Sequence, residues 1–333
     1  MATPSIEDVI GQSQHHGWLA RVTSRQTFWI FLAAIIACVL LSLVTDTFAT
    51  ERNLFNVTRN FAFVGIIALG MTTVIAAGGI DLSVGSSVVL SAIVVGTTMA
   101  AGFPIYVAVP LAIGAALCVG LVNGVLIAYA RMPPFVVTLG TLAVARSLAM
   151  VLSGNKMIYE FGPDHDLLLG LGGGSVIGIA NPVYFLVILA ILTGLSYRWT
   201  RWGQHVFAVG GNETAAGMTG IRVARLKVSV YMFSAFTAGV TGVLEVGWLG
   251  GVTTNLGQSM ELTVIAAAVI GGATLAGGSG TALGAVVGAA LIEVIRNSLI
   301  LLGISTFWQG TFVGSFIIIA VAIERLRSLR QHS

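Results

Sequence analysis

The sequence predicts an all-α polytopic membrane protein with about ten transmembrane helices, and three observations support that fold class. Hydrophobic residues make up 56% of the 333 residues and charged residues only 9%, whereas a soluble domain is about one-quarter charged. The mean hydropathy is +0.96, and apolar runs of about 20 residues recur along the chain. Basic residues lie mainly on one side of the predicted bundle. A globular core cannot hide so much apolar surface, but lipid can solvate it.

Ten segments are apolar and long enough to be predicted as membrane spans. The first run has no small-residue cleavage pattern after it, so we expect it to remain as a span rather than to act as a signal peptide. The predicted spans are 27–44, 57–78, 84–101, 105–130, 135–153, 182–197, 227–249, 261–277, 281–303 and 306–324.

The basic residues predict the orientation of these spans. An even number of spans places both termini on the same side of the membrane. With the N-terminus in the cytoplasm, 11 of the 16 Lys and Arg residues lie in cytoplasmic segments, and three (Arg52, Arg59 and Lys156) lie outside. Because cytoplasmic loops are enriched in Lys and Arg, this bias predicts N-in and C-in. The net charge of +3 is too small to suggest nucleic-acid binding.

This orientation divides the chain into a transmembrane domain and two short ends. We expect a cytoplasmic N-terminal segment at 1–26, the membrane domain at 27–324 and a cytoplasmic tail at 325–333. Two connections are long enough to do more than turn. These are a periplasmic loop at 154–180 and a basic cytoplasmic segment at 198–226, and the remaining connections are short, as in a compact bundle.

Glycine is unusually frequent, with 42 residues, or about 13% of the chain against an average of about 7%. Several glycines stand four residues apart, which on a helix places them on one face and lets another backbone approach closely. We therefore predict close helix packing at two such sets, Gly120 with Gly124, and Gly280 with Gly284 and Gly288.

Two glycine-rich segments interrupt apolar runs, one in each half of the chain. They are residues 78–85 (Gly-Gly-Ile-Asp-Leu-Ser-Val-Gly) and residues 271–280 (Gly-Gly-Ala-Thr-Leu-Ala-Gly-Gly-Ser-Gly). Interrupted segments in both halves are typical of transporters built from inverted repeats. The pattern predicts that spans 57–153 are related to spans 227–324 and enter the bilayer from opposite sides.

Transferring a polar side chain into lipid costs free energy, so each polar residue inside a predicted span should face a partner, water or a cavity. Asp81 and Ser83 lie beside paired glycines, where a carboxylate could accept hydrogen bonds from the hydroxyls of a polyol. Either residue could instead cap the next helix. Asn123 lies on a small-residue face, where it could line a pathway or form an interhelical hydrogen bond. These three residues are candidates for a substrate pathway.

Glu245 and Glu261 are the other two pathway candidates. Glu245 precedes Trp248 near the outer end of its span, and a carboxylate beside an aromatic ring suits a carbohydrate, although Trp is also enriched at membrane interfaces. Glu261 opens a span, where it could equally stabilise the helix N-terminus. Glu293 and Arg296 stand three apart on one helix and are predicted to pair with each other. Arg146 should pair across helices or extend to the outer interface.

The cytoplasmic segment contains residues that are typical of the beginning and the end of a short helix. Asn212 is a good N-cap and Glu213 suits the first turn of a helix. Gly220 is a good residue for the end of that helix. We predict a short exposed helix over 213–219, which is a suitable docking element for a partner protein.

Two stretches of the sequence form recognisable motifs. One runs from Gly70-Met71 through Gly85, and the other is the spaced run Gly210-Gly211-Asn212-(x)2-Ala215-Ala216-(x)3-Gly220-Ile221. Through these motifs the chain resembles, over about residues 50–325, the ribose-type sugar permeases of bacterial ABC importers. The chain departs from the family at Ser147, where glycine is frequent, and at Thr263, where an acid is frequent. The other similar stretches are 134–139, 261–272, 275–278 and 297–305.

This resemblance implies a permease that imports a monosaccharide together with partner proteins. The expected partners are a cytoplasmic ABC ATPase, a periplasmic sugar-binding protein, a second identical or related permease chain, and membrane lipid. Residues 212–221 would seat in a cleft of the ATPase and pass its movement to the spans. The residues expected to couple are Gly210, Gly211, Asn212, Glu213, Ala215, Ala216 and Gly220.

Two other functions compete with this one. An ion-coupled secondary sugar transporter would use Asp81, Glu245 or Glu261 to carry the ion, but it leaves the cytoplasmic motif without a purpose. An intramembrane enzyme would need catalytic motifs, and neither HExxH nor Gly-x-Ser-x-Gly occurs. The chain also lacks a G-x-x-x-x-G-K-[ST] phosphate loop, so any ATPase must be a separate protein. We expect no cofactor and no metal.

Overall fold

The computed structural model describes residues 26–305 and, beyond them, residues 308, 310–312, 314, 315 and 318. Over these residues the chain is mainly helical, and the only strands are the short antiparallel pair Ser175–Val176 (β1) and Ile179–Ala180 (β2). The predicted tail 325–333, the N-terminal segment 1–26 except Gln26, and the remaining residues of the predicted span 306–324 lie outside the described residues. The all-α membrane fold class is confirmed.

Seven helices of the described part are long and apolar enough to cross a membrane, and two more apolar helices are shorter. The seven are α1, α2, α4, α5, α7, α10 and α12, and the two shorter ones are α3 and α11. In chain order, the helices are α1 (Gln26–Val44), α2 (Glu51–Ala76), α3 (Val84–Ala100), α4 (Ile105–Ala128), α5 (Pro134–Ser153), α6 (His165–Gly173), α7 (Asn181–Trp199), α8 (Arg201–Gly211), α9 (Glu213–Met218), α10 (Val223–Leu249), α11 (Met260–Ile270) and α12 (Ala282–Leu301).

Helices α2 and α10 form the centre of the bundle, and both are almost entirely buried. They cross closely at Gly70, where an added Cβ atom would lie 2.8 Å from the Cα atom of Ser234. Helix α4 packs along α10 through Gly120 and Gly124, and a Cβ on Gly124 would lie 2.6 Å from the Cα atom of Val228. This confirms the close packing predicted for these two glycines. By contrast, most residues of α1, α4, α5 and α7 are half-buried or exposed, as in lipid-facing helices.

The two shorter helices pack crosswise on the central pair. Helix α3 follows α2 but packs against α10, whereas α11 follows α10 but packs against α2. The two halves of the chain meet where each short helix begins. A Cβ added at Gly85 would overlap the carbonyl oxygen of Gly257, and a Cβ at Gly257 would overlap that of Gly85. The two halves of the chain therefore touch each other reciprocally at this point.

The prediction of one continuous span over 261–277 is wrong, because α11 ends at Ile270. The residues that follow include Gly272, Gly277 and Gly278 with φ of 96°, 88° and 78°, a left-handed conformation that ends a helix and that glycine adopts without strain. Gly280 also lies outside any helix, so it does not share a helical face with the glycines of α12 as predicted.

The remaining part of the glycine prediction for α12 is confirmed. The helix begins at Ala282, after Thr281, whose side chain accepts a hydrogen bond from the Gly284 amide at 2.9 Å. A Cβ on Gly284 would overlap the carbonyl oxygen of Gly271, and one on Gly288 would overlap that of Ala267. The two glycines thus let α12 pack against the backbone of α11.

The long connection at 154–180 is an ordered structure rather than a plain loop. It contains a 3-10 turn at Gly162–Asp164, helix α6 and the β1–β2 hairpin. Helix α6 packs on the C-terminal part of α10 through Gly172 and Gly247. The Asp164 carboxylate accepts a hydrogen bond from the Ile105 amide at 2.9 Å, which satisfies a free amide at the start of α4.

Candidate functional site

Asp81, Ser83 and Asn123, three of the predicted pathway residues, lie together in one buried hydrogen-bond network. Oδ1 of Asp81 accepts hydrogen bonds from the Ser83 amide at 2.9 Å and the Ser83 hydroxyl at 2.6 Å. Oδ2 accepts one from the Ser234 hydroxyl at 2.8 Å. The Asn123 amide donates to the Ser83 hydroxyl at 2.8 Å and accepts from the Thr141 hydroxyl at 2.6 Å. The network therefore joins the α2–α3 turn to α4, α5 and α10.

The network is closed to solvent, since Asp81 is 1% exposed and Asn123 is fully buried. Ser83 occupies the N-cap position of α3, but its hydroxyl donates to Asp81 instead of accepting from a helix amide. The Asp81 carboxylate thus organises the turn that precedes α3 through the Ser83 amide. The interhelical hydrogen bond considered for Asn123 is present. A role of these three residues in the substrate pathway stays a prediction.

Glu245 lies elsewhere, on the wall of a cavity of about 580 Å³, a volume typical of sites for small ligands. Its side chain is 5% exposed, and its Oε2 atom has no hydrogen-bond partner among the described residues. Asn60 also lines the cavity, and its Oδ1 atom likewise lacks a partner within the described part. The other polar residues of the wall are Asn255, Gln258, Ser259, Thr263 and Arg296.

Aromatic and basic groups complete this cavity. Trp248 lines it and packs against Phe63, with ring centroids 5.5 Å apart. The guanidinium carbon of Arg59 lies 4.4 Å from the centroid of the Trp248 ring, a cation–π geometry that holds the indole in place. The predicted pair between Glu293 and Arg296 is confirmed, with the charged groups 3.9 Å apart.

Glu261, the fifth pathway candidate, is half-buried in the first turn of α11, outside the residues that line the cavity. Its Oε2 atom lies close to Gly85, near the contact between the two halves of the chain, and has no hydrogen-bond partner among the described residues. Arg146 faces the same region from α5 and acts on Glu261 through its charge. Glu261 and Arg146 are therefore neighbours at the start of α11.

Arg146 holds the connection between α10 and α11 in place. Its guanidinium donates to the carbonyl oxygens of Thr254 at 2.9 Å, Leu256 at 2.8 Å and Gly257 at 3.3 Å. This confirms that Arg146 bonds across to another segment. Since Asn255 and Leu256 line the cavity, Arg146 also shapes the cavity wall from behind.

Replacing Arg146 should therefore destabilise the protein. Arg146→Met removes the donor of the Thr254 and Leu256 carbonyl oxygens and one of the two donors of Gly257. Each carbonyl left without a donor costs about 1–3 kcal/mol if no water replaces it. We expect a lower thermal unfolding temperature for the solubilised protein, measured by size-exclusion chromatography of heated samples. The unfolding temperature of Arg146→Lys should lie between those of Arg146→Met and the wild type, because an ammonium group lacks the planar, forked donors of the guanidinium and cannot reach all three carbonyls. Equal melting of Arg146→Met and wild type would contradict this role.

The motif at 210–221 forms the predicted short helix. The Asn212 side chain accepts a hydrogen bond from the Ala215 amide at 2.9 Å, which confirms the N-cap. Helix α9 spans Glu213–Met218 and ends just before Gly220, whose φ is 86°. Glu213 pairs with Lys227 of α10 at 2.7 Å. Every residue of α9 is exposed except Ala216, so the helix offers a surface to a partner while Ala216 anchors it.

Three glycine pairs meet directly before this helix, and we call them the glycine junction: Gly78 with Gly79, Gly210 with Gly211, and Gly277 with Gly278. A Cβ on Gly210 would overlap the Ala76 carbonyl oxygen and lie 2.7 Å from the Gly278 amide nitrogen. A Cβ on Gly277 would lie 3.1 Å from the Cα atom of Gly78. The Gly278 amide donates to the Ala76 carbonyl at 2.9 Å.

The glycine junction brings together the two glycine-rich segments that the sequence analysis singled out. Segments 78–85 and 271–280 touch each other at Gly78 and Gly277. Their glycines are needed because three backbones converge there with no room for side chains.

Several residues of these sites were missed from the sequence. Ser234 and Thr141 complete the Asp81 network, and Asn60 and Arg296 line the cavity. Ser and Thr are ordinary residues of membrane helices, so nothing in the sequence marks Ser234 or Thr141. Asn60 was detectable, because an amide in an apolar helix requires a polar partner.

Comparisons with known proteins identify the family. The family described as branched-chain amino acid transport system / permease component matches residues 53–321. The chain is 39% identical over 305 residues to a probable ABC transporter permease, y4mJ, of Sinorhizobium fredii, covering 90% of each chain. It is 35% identical over 298 residues to the ribose import permease RbsC of Bacillus subtilis, covering 90% of this chain and 92% of that one.

A third relative extends the match along nearly the whole chain. The L-arabinose ABC transporter permease AraH of Azospirillum brasilense is 32% identical over 327 residues, which are 98% of this chain and 94% of that protein. No solved structure matches the chain. Such relatives are permease subunits rather than enzymes, and their ATPase is a separate subunit. The chain is therefore a multi-pass inner-membrane protein that belongs to the ribose-type permease family of ABC importers.

Proposed function

We propose that this chain is the membrane-spanning permease subunit of an ATP-driven importer that moves a ribose-like monosaccharide from the periplasm to the cytoplasm. The substrate class includes pentoses, hexoses and small polyols. The relatives that import ribose and L-arabinose support the sugar class. The observation that carries the transport mechanism is the exposed helix α9, which directly follows the glycine junction.

The proposed topology has ten spans, both termini in the cytoplasm and two inverted halves. The crosswise packing of α3 and α11 supports the inverted relation, as does the reciprocal contact of Gly85 with Gly257. Gly85 follows the end of α2, and Gly257 follows the end of α10, at nearly the same interval. Such a contact is what a two-fold axis in the membrane plane would produce between related halves.

The proposed domains follow from this topology. Residues 1–26 and 325–333 are cytoplasmic, and residues 27–324 form the permease domain. The connection at 154–180 faces the periplasm, where α6 and the hairpin offer a docking surface to a sugar-binding protein. The segment at 198–226 faces the cytoplasm, where α9 contacts the ATPase. A second permease chain, identical or related, completes the pore.

The glycine junction suggests how the ATPase moves the permease. Because Gly210 contacts both the end of α2 and the 271–280 segment, a displacement of α8 and α9 cannot occur without moving both. The end of α2 leads into the short helix α3, and the 271–280 segment directly follows the short helix α11. The starts of these two short helices meet at Gly85 and Gly257. We therefore propose that ATP-driven closure pushes α9 and changes the packing of α3 and α11 around the central helices.

The coupling role of α9 can be tested at exposed positions. Ala215→Arg and Gly217→Arg change the surface of α9 without touching its buried anchor Ala216, and no atom lies near a Cβ added at Gly217. In vesicles containing the permease, the ATPase and the binding protein, we expect import of ribose, L-arabinose or D-allose to fall at least tenfold. Sugar-stimulated ATP hydrolysis should fall with it, while the amount of inserted permease stays normal.

A matched control uses an exposed alanine outside the motif. Ala208→Arg on α8 adds the same side chain and should insert equally well, so it reports any general effect of an added charge. Normal import by Ala215→Arg and Gly217→Arg would remove the coupling assignment. Import driven by an ion gradient in vesicles without ATPase would support the alternative, an ion-coupled secondary sugar transporter.

A further inference from the structure

The cavity beside Glu245 has unsatisfied hydrogen-bond acceptors on its wall. Glu245 is 5% exposed, yet its Oε2 atom has no partner among the described residues, and the same holds for Oδ1 of Asn60. A buried acceptor without a donor is costly, typically by about 1–3 kcal/mol. Native proteins keep few such groups, and each one that remains needs an explanation. A ligand that donates hydrogen bonds into the cavity would satisfy both atoms.

The wall also offers donors and an aromatic face. Arg296 lines the cavity and carries the positive charge that acts on both Glu245 and Glu293. Gln258, Ser259 and Thr263 add amide and hydroxyl groups that both donate and accept. Trp248 presents an indole that Arg59 and Phe63 hold in place. A ligand that fits this wall has several hydroxyl groups and an apolar C–H face.

We infer that this cavity is a monosaccharide-binding subsite of the permease, in which Glu245 and Asn60 accept hydrogen bonds from sugar hydroxyls and Trp248 packs against the ring. The inference rests on the proposed function, which supplies the sugar, and adds the residues that hold it. Glu245 and Trp248 lie near the outer end of α10, and Asn60 lies in the outer part of α2 in the proposed topology. In this topology the sugar, once released by the binding protein, first contacts the permease at this subsite.

The chemistry favours a neutral polyol over a charged solute. The two acceptors provide no fixed positive site for a carboxylate or phosphate, and Arg296 is already 3.9 Å from the Glu293 carboxylate. An ammonium group could satisfy Glu245 and could also contact the indole. However, the positive charge of Arg296, which acts on Glu245, would repel it. Binding of an alkylammonium ion in place of a sugar would contradict the proposal.

The test compares Glu245→Gln with wild type in the complete complex in vesicles. Gln has nearly the same shape but replaces one acceptor oxygen with a donor, so folding should be preserved. We expect import of the sugar that the wild-type complex takes from the panel above to fall roughly tenfold or more, as expected for a lost hydrogen bond to a charged group. ATP hydrolysis stimulated by the loaded binding protein should stay within about twofold, because α9 and the glycine junction are untouched.

Glu51→Gln is the matched control, because Glu51 is an exposed acid in the first turn of α2. It should leave the number of sugar molecules imported per ATP unchanged. If Glu245→Gln also leaves that ratio unchanged, the subsite is overturned while the proposed function stands. If the wild-type complex imports no monosaccharide at all, the proposed function fails and the subsite fails with it.

A binding measurement without the binding protein gives a second readout. Saturation-transfer NMR of the permease–ATPase complex should detect weak binding of the same sugar, with the ring protons that contact Trp248 showing the strongest transfer. Glu245→Gln and Trp248→Leu should each reduce the signal several-fold. Binding of methylammonium but not of any sugar, or an equal sugar signal in both variants and wild type, would overturn the proposal.

Discussion

Gly210→Ala should disable the permease, and we expect it to have the largest effect of any single methyl group added to this chain. The added Cβ would overlap the backbone oxygen of Ala76 and lie 2.7 Å from the Gly278 nitrogen. Because these are backbone atoms of two different segments, neither can move aside alone. Overpacking of this kind costs about 1–3 kcal/mol or more. We expect a lower thermal unfolding temperature in detergent and at least a tenfold loss of sugar import.

The neighbouring glycine is a close control for that experiment. Gly211 lies at the end of the same helix, but no atom lies within 4 Å of a Cβ built on it. Gly211→Ala should therefore melt at the wild-type temperature. If Gly210→Ala and Gly211→Ala melt alike, the backbone contact at the glycine junction does not restrain the helix.

The second large effect is expected for Asp81→Ala. The substitution removes the acceptor for the Ser83 amide, the Ser83 hydroxyl and the Ser234 hydroxyl, all of which are buried. Each unsatisfied donor costs about 1–3 kcal/mol, and no water from solvent reaches a site that is 1% exposed. We expect little folded protein in the membrane, measured by size-exclusion chromatography of the extracted chain.

Asp81→Asn separates the loss of hydrogen bonds from the loss of the carboxylate itself. The amide oxygen can still accept from Ser83, and the Ser234 hydroxyl can turn to accept from the new NH₂ group. Folded protein should therefore recover in part. Asp46→Ala removes an exposed carboxylate and serves as the control. Unchanged stability and unchanged transport in Asp81→Asn would show that the carboxylate is needed neither for the turn nor for the sugar.

The sequence was sufficient for the features that depend on residues close together in the chain. Apolar runs predicted the membrane helices, because 20 consecutive apolar residues are stable only in lipid or a large core. Asn212 and Gly220 predicted the ends of α9, because a cap bonds to amides only a few residues away. The spacing of Gly120 and Gly124 predicted the contact with another helix, because four residues make about one helical turn.

Local pattern was not sufficient where a glycine run could be read in two ways. The apolar and small side chains of residues 271–277 favour a continuation of the helix that begins near Glu261. The structure ends α11 at Ile270 because several of these glycines adopt left-handed conformations. Nothing within the run itself distinguishes a glycine that lines a helix face from one that ends the helix.

The sequence by itself therefore determined that this protein is a helical membrane permease with an exposed short helix, α9, of family-specific pattern. Only the tertiary structure decided which polar residues belong together, namely Asp81 with Ser234 and Asn123, and Glu245 with Asn60 and Arg296. It also decided that Gly78, Gly210 and Gly277 meet. The physical reason is that helix formation is governed by hydrogen bonds between near neighbours in the chain. These polar groups and glycines, by contrast, are brought together by the packing of distant segments; Gly78 and Gly210, for example, are more than 100 residues apart.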